Sequence, residues 1–134
     1  MCVFKVTPQP QGSAIKSLVN IYTYDAEHFE EQAIHIKQLY YRYKARKVAI
    51  DTNGLGIGLL DFMVKAQETD DGEYLPPFGI DNDDEGVYKS YFRGVDDVEK
   101  DAIFQIKANA PINTDAYSYA QTQMSSGKIK FLID

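Results

Sequence analysis

The chain has no tryptophan, a single cysteine and no long apolar run. Each absence excludes something. Cys2 has no second cysteine to pair with, so no internal disulfide forms, and no Cys/His spacing resembles a zinc site. A reducing compartment fits this, and Cys2 reads as a small apolar strand residue. No stretch approaches the roughly 18 apolar residues of a membrane span, and the start lacks the charged-then-apolar order of a signal peptide. No membrane partner is expected, and the cytoplasm is the expected location. Basic residues are also few, with 14 Lys and Arg against 20 Asp and Glu, for a net charge of −6. Non-specific DNA affinity comes mainly from Lys and Arg displacing counterions, so the charge opposes a broad phosphate-binding surface, and any nucleic-acid contact must be local or supplied by other parts.

What is present is an ordinary globular composition, 44% hydrophobic and 25% charged over 134 residues. That length supports one core, so a single domain over 1–134 is expected. Residues 2–6 and 14–24 are rich in β-branched and apolar side chains, and Pro8, Pro10 and Gly12 interrupt them, which predicts a hairpin with a long loop. Phe29, Ala33, Ile36, Tyr40 and Tyr43 recur at helical spacing, predicting a helix over 26–45 with Asp25 as its cap and Lys44, Arg46 and Lys47 closing it. Val48-Ala49-Ile50 reads as a short strand buried on both faces, and Leu55, Leu59, Phe62, Met63 and Ala66 predict a second helix. Residues 68–99 turn polar and acidic and read as an excursion with a short strand near 78–80. A strand over 102–107, a helix from an Asn113 cap to about 126 ended by Gly127, and a last strand over 129–133 complete the pattern. Alternating strands and helices predict an α/β layered domain.

Asp51 is the first candidate for chemistry. A carboxylate at the C-terminal end of a buried strand, ahead of a glycine turn into a helix, stands at the sheet edge where ligands usually bind. In a metal-dependent nuclease it would share divalent cations with other carboxylates. The same placement suits a plain helix cap, and placement alone favours the cap. Gly54, Gly56 and Gly58 match neither a Walker loop nor a dinucleotide fingerprint, and read as residues that let the helix pack close to the strand. Asp81, Asp83 and Glu85 begin like a calcium loop, but Phe92 stands where a bidentate Glu is needed, so a solvated acidic loop is expected. His28 and His35 lie two turns apart on one helix, too far to grip one ion. Tyr40, Tyr41 and Tyr43 read as core or interface residues rather than base-stacking platforms. Lys107, Asn109 and Asn113 join a strand end to a helix start, a junction that can hold a phosphate or contact DNA.

Three blocks together resemble one family. They are Val48-Ala49-Ile50-Asp51-Thr52-Asn53-Gly54-Leu55-Gly56-Ile57-Gly58-Leu59-Leu60-Asp61, Ile106-Lys107-Ala108-Asn109-Ala110-Pro111-Ile112-Asn113, and Ser126-Gly127-Lys128-Ile129-Lys130-Phe131-Leu132-Ile133-Asp134. They are similar to the C-terminal ribonuclease-H-like nuclease domain of phage and prophage terminase large subunits. The resemblance implies a three-layer mixed sheet flanked by helices and endonucleolytic cleavage of concatemeric DNA in the intact protein. It implies Mg²⁺ or Mn²⁺ held by acidic residues, with Asp51 as catalytic residue and metal ligand. It also implies double-stranded DNA and other terminase or portal components as partners, in the cytoplasm of a bacterial host. Of the family's acidic ligands only Asp51 matches by motif. The first-strand aspartate would fall upstream of Cys2 and the last beyond Asp134, and the ATPase motor is not matched. The expectation is therefore a sheet lacking its first central strand, weak or inactive in cleavage, with altered strand pairing or a homo-oligomer as the physical consequence. A non-catalytic binding or assembly module derived from the same domain is the alternative.

Overall fold

The computed structural model describes residues 1–25, 27–53 and 56–131. The chain is mixed α/β and divides into two compact units, Met1–Asp25 with Asn109–Asp134, and Ala26–Ala108. Among the described residues the strands form two three-stranded sheets and a two-stranded hairpin. No helix among the described residues is long and apolar enough to cross a membrane.

The first unit contains β1 (Cys2–Thr7), β2 (Ile15–Ile21), α3 (Ala110–Ser125) and β8 (Ile129–Phe131). β1 and β2 form the expected antiparallel hairpin, and β8 pairs in parallel with the other side of β2, in the order β1-β2-β8. The cap of α3 is Asn109 rather than the expected Asn113. Its side chain accepts from the N–H of Ile112 at 2.9 Å, and Pro111 occupies the first turn, where a missing N–H costs nothing. Gly127, at φ 72°, ends the helix as expected, and the Lys128 N–H returns to the Gln123 carbonyl. Little is buried here. Ser17, Leu18 and Gln123 are the only buried residues among those described in this unit. Gln123 accepts at 2.8 Å from the ammonium of Lys16, which also reaches the Tyr119 hydroxyl at 3.0 Å.

The second unit contains α1 (Phe29–Arg42), β3 (Val48–Asp51), α2 (Gly56–Met63), the hairpin β4 (Gln67–Glu68) and β5 (Tyr74–Leu75), β6 (Phe78–Ile80), a 3-10 turn (Lys89–Phe92) and β7 (Glu99–Ile106). Its sheet is all parallel, in the order β3-β7-β6. β3 is thus an edge strand, and of its residues only Ile50 is buried while Ala49 is exposed, against the expectation of burial on both faces. α1 begins without the expected Asp25 cap: His28 occupies the cap position with no side-chain bond, and Glu30 and Glu31 complement the helix dipole instead. α1 buries Ala33, Ile36, Leu39 and Tyr40 against the unit's core, where Leu60, Met63, Leu75, Phe78 and Ile103 are also buried. Phe78 packs edge-on against Tyr40, with centroids 4.8 Å apart, and against Tyr41 at 5.9 Å. Both tyrosines donate to the Glu99 carboxylate, at 3.3 and 3.0 Å, which fastens α1 to the start of β7.

The same helical stripe carries a lysine. Lys37 is 0% exposed, and its Nζ donates to the Lys65 carbonyl at 2.6 Å, the Gln67 side-chain Oε1 at 2.6 Å and the Pro76 carbonyl at 2.8 Å. Three N–H groups meet three oxygens. The ammonium also lies 5.1 Å from the Phe78 ring centroid. No carboxylate is among its partners, and burial pulls its pKa from 10.5 down to about 7.

Two consequences follow for stability. Across roughly pH 7 to 10 the unfolded chain keeps Lys37 protonated while the folded chain releases the proton, so stability rises with pH over that window. Above it the sign reverses, because burial, aided by Glu99, raises the pKa of Tyr40 and Tyr41 in the folded chain, and unfolding then lets both ionise. Urea midpoints measured across pH are expected to climb and then fall. Lys37→Met is expected to abolish the climb and to cost about 2–4 kcal/mol at mildly alkaline pH, since the buried oxygens around the amine lose the N–H groups they accept from. A climb that persists in Lys37→Met would assign it to another group.

Candidate functional site at the ends of the parallel strands

In a parallel sheet every strand ends at the same edge. Here β3 ends at Asp51, β7 at Ile106 and β6 at Ile80. Asp51 pairs with Ile106, and the ladder runs one bond further, from the Thr52 N–H to the Ile106 carbonyl at 2.8 Å. Lys107 follows directly, so Asp51 and Lys107 extend from the ends of adjacent strands, both exposed. The two other candidate phosphate contacts are placed otherwise: Asn109 and Asn113 belong to the first unit, where Asn109 caps α3 and Asn113 lies in its first turn.

Local chemistry sets the Asp51 turn. Oδ1 of Asp51 accepts from the Asn53 N–H at 3.0 Å, an Asx-type turn, while the Asn53 amide donates to the Ala108 carbonyl. The end of β3 is therefore tied to the segment leaving β7. Gly54 lies outside the described residues. Gly56 has a plain reason to be glycine, because a Cβ there would stand 1.6 Å from the Asp51 carbonyl oxygen. At Gly58 a Cβ would stand 2.6 Å from the Phe29 ring of α1. One polar atom beside Asp51 is left over: Thr52 is 8% exposed, and its Oγ1 makes no hydrogen bond among the described residues.

Two features of this edge were not visible in the sequence. Asn82 acts as a detached piece of strand, its amide donating to the Gln105 carbonyl at 3.0 Å and its Oδ1 accepting from the Gln105 N–H at 2.8 Å. Beside it a cavity of about 100 Å³ brings Asp84 and Glu85 together with Lys107 and Tyr88. Asp83 is already engaged, since its two oxygens accept from the N–H groups of Val87 and Tyr88 at 2.9 Å each. A larger recess of about 500 Å³ lies between β6, β7 and the 3-10 turn, with Lys89, Lys100, Asp96, Asp101 and Phe92 on its walls. A spacing signal for Asn82 did exist, as it falls two residues past the end of the 78–80 strand, but the polar run around it disguised it.

The donor set bears on the metal expectation. A divalent ion takes several oxygen ligands, and two-ion catalysis takes several converging carboxylates. Among the described residues no group of three or more His, Cys, Asp or Glu gathers closely enough to hold an ion. Those residues supply one ligand position, Asp51, and do not by themselves assemble a two-ion centre. No protein family model, no curated protein and no solved structure matches the chain.

Gly56→Ala is expected to be among the most damaging small changes in the chain. Its added methyl has to displace backbone rather than a side-chain tip, at a cost of about 3 kcal/mol or more. Chemical unfolding reads the loss directly, and a midpoint like that of the wild type would mean that the turn relaxes freely.

Proposed function

We propose that this chain is the nuclease-domain portion of a terminase-type large subunit, with a ribonuclease-H-like ancestry, and that it acts as a binding or assembly module rather than cutting DNA by itself. One observation carries the reading. Asp51 stands at the C-terminal end of a parallel strand, next to the strand end that bears Lys107, and is followed by a turn too tight for any residue but glycine at position 56. That is the placement the family resemblance asks of its strand-end ligand. The lack of converging carboxylates among the described residues argues for the module over the intact nuclease, in which Mg²⁺ or Mn²⁺ would supply the charge stabilisation for phosphodiester hydrolysis.

The proposed partners are double-stranded DNA and other packaging components. With a net charge of −6 the DNA contact has to be local, and Lys107 at the exposed strand end is its best-placed cation. Lys107→Ala is then expected to weaken duplex binding and to lower the salt slope by roughly one charge.

Calorimetric titration with Mn²⁺, run beside a plasmid-nicking assay on the wild type and Asp51→Ala, tests the proposal. Duplex binding without nicking is the expected result. Metal-dependent nicking that Asp51→Ala abolishes would instead make the chain a working nuclease. Neither duplex binding nor nicking would remove DNA from the list of partners.

A further inference from the structure

The first unit has too little inside and too much outside. Leu18 is its one buried aliphatic residue among those described, while Phe4 is 48% exposed, Val6 58% and Ile21 51%. A strand at the edge of a sheet presents unpaired N–H and C=O groups, a template for pairing with another chain. β1 is the edge of that sheet, bonded to β2 on one side only. The extra residue of the irregularity near Val3 and Phe4 is Val19 on β2, so the alternation along β1 is unbroken: Cys2, Phe4 and Val6 share one face, and Val3, Lys5 and Thr7 the other.

We propose that the free edge of β1 pairs antiparallel with β1 of a second copy of this chain, about a two-fold axis through Phe4. A strand paired with itself in this way is self-complementary, which is the requirement of a two-fold interface. The register is chosen by the side chains. With the axis at Phe4, the two phenyl rings face each other, Cys2 faces Val6 of the other copy, and Val3 faces Lys5. Moving the axis to Lys5 sets lysine against lysine, which is unfavourable for residues directly opposite each other. Moving it to Val3 shortens the paired stretch.

Charge favours the same occupant. The first unit carries four lysines against three aspartates, whereas the second carries ten basic residues against seventeen acidic ones. Two copies meeting through the first unit avoid the repulsion that two acidic second units would meet. Five β1 residues pair on each strand, Cys2 to Val6, and bury less than the roughly 1,200 Å² of a stable specific interface, so the pair is a weak and reversible dimer. This inference is independent of the role given to Asp51 and fails or stands without it.

Sedimentation of the wild type over a wide concentration series is expected to show a monomer–dimer equilibrium. Phe4→Lys sets like charges across the axis and is expected to weaken association by about tenfold or more. Mixing Phe4→Lys with Phe4→Glu is expected to restore a heterodimer, which a misfolded variant would not do. In a Cys2→Ser background, Phe4→Cys is expected to cross-link readily on mild oxidation, and wild-type Cys2 is not. A wild type that stays monomeric throughout, a Phe4→Lys variant that associates like the wild type, or a mixture that forms no heterodimer overturns the proposal.

Discussion

The second unit is organised around a positive charge with no negative partner. Lys37 brings three oxygens from three separate places, the second residue after α2, the first residue of β4 and the link before β6, onto one ammonium group. Carbonyl groups that converge would repel one another. The ammonium removes that repulsion and satisfies three acceptors at once, at the cost of its own desolvation. This convergence ties the polar segment between α2 and β6 to the core, where Val64 and Leu75 are also buried. Aromatic packing completes the arrangement, because the Phe78 ring lies near the ammonium and also supports Tyr40 and Tyr41.

The edge where the parallel strands end inherits its order from that core. β6 is placed by Phe78, β7 pairs with it, and β3 pairs with β7, so the positions of Asp51 and Lys107 depend on contacts made far from either. The register between β6 and β7 slips near Asp101, which adopts a left-handed backbone at φ 53° and whose carbonyl accepts from Lys47. Lys47 also pairs with Asp81 at 2.7 Å, but both side chains are nearly half exposed and the pair contributes at most about 1 kcal/mol. Its larger effect is geometric, since it holds the irregular stretch of β7 beside the first residue beyond β6.

Local signals in the sequence carried most of the elements and few of the connections. Val48 to Asp51 reads as a strand from its side chains, Gly127 as a helix end, and residues 78–80 as a strand inside an acidic stretch, because each is decided by neighbours in sequence. Asn113 competes with Asn109 as the expected cap because both are good caps, and Pro111, which fits the first turn only when the helix starts earlier, decides for Asn109. Lys37 gives no signal as a core residue because lysine reads as solvent-facing, although its spacing from Ala33 and Tyr40 puts it on the buried stripe. The parallel pairing of β2 with β8 had no local signal at all. Asp51 itself is legible as a strand-end carboxylate, but its surroundings are not, since they come from the end of β7 and the segment that leaves it.

The first unit is assembled from two stretches separated by the whole of residues 26–108. On a ribosome, Lys16 of β2 is made long before Ile129, the residue it pairs with in β8, while the second unit is continuous and can order as soon as its own strands exist. If 26–108 fold first, most of the chain between β2 and β8 has already lost its conformational entropy, and bringing the two strands together costs correspondingly less. Until that moment the β1–β2 hairpin waits as an isolated ribbon, a form only marginally stable in water. The order of synthesis thus makes the hairpin the last part of the chain to find its partner and the part that spends longest exposed.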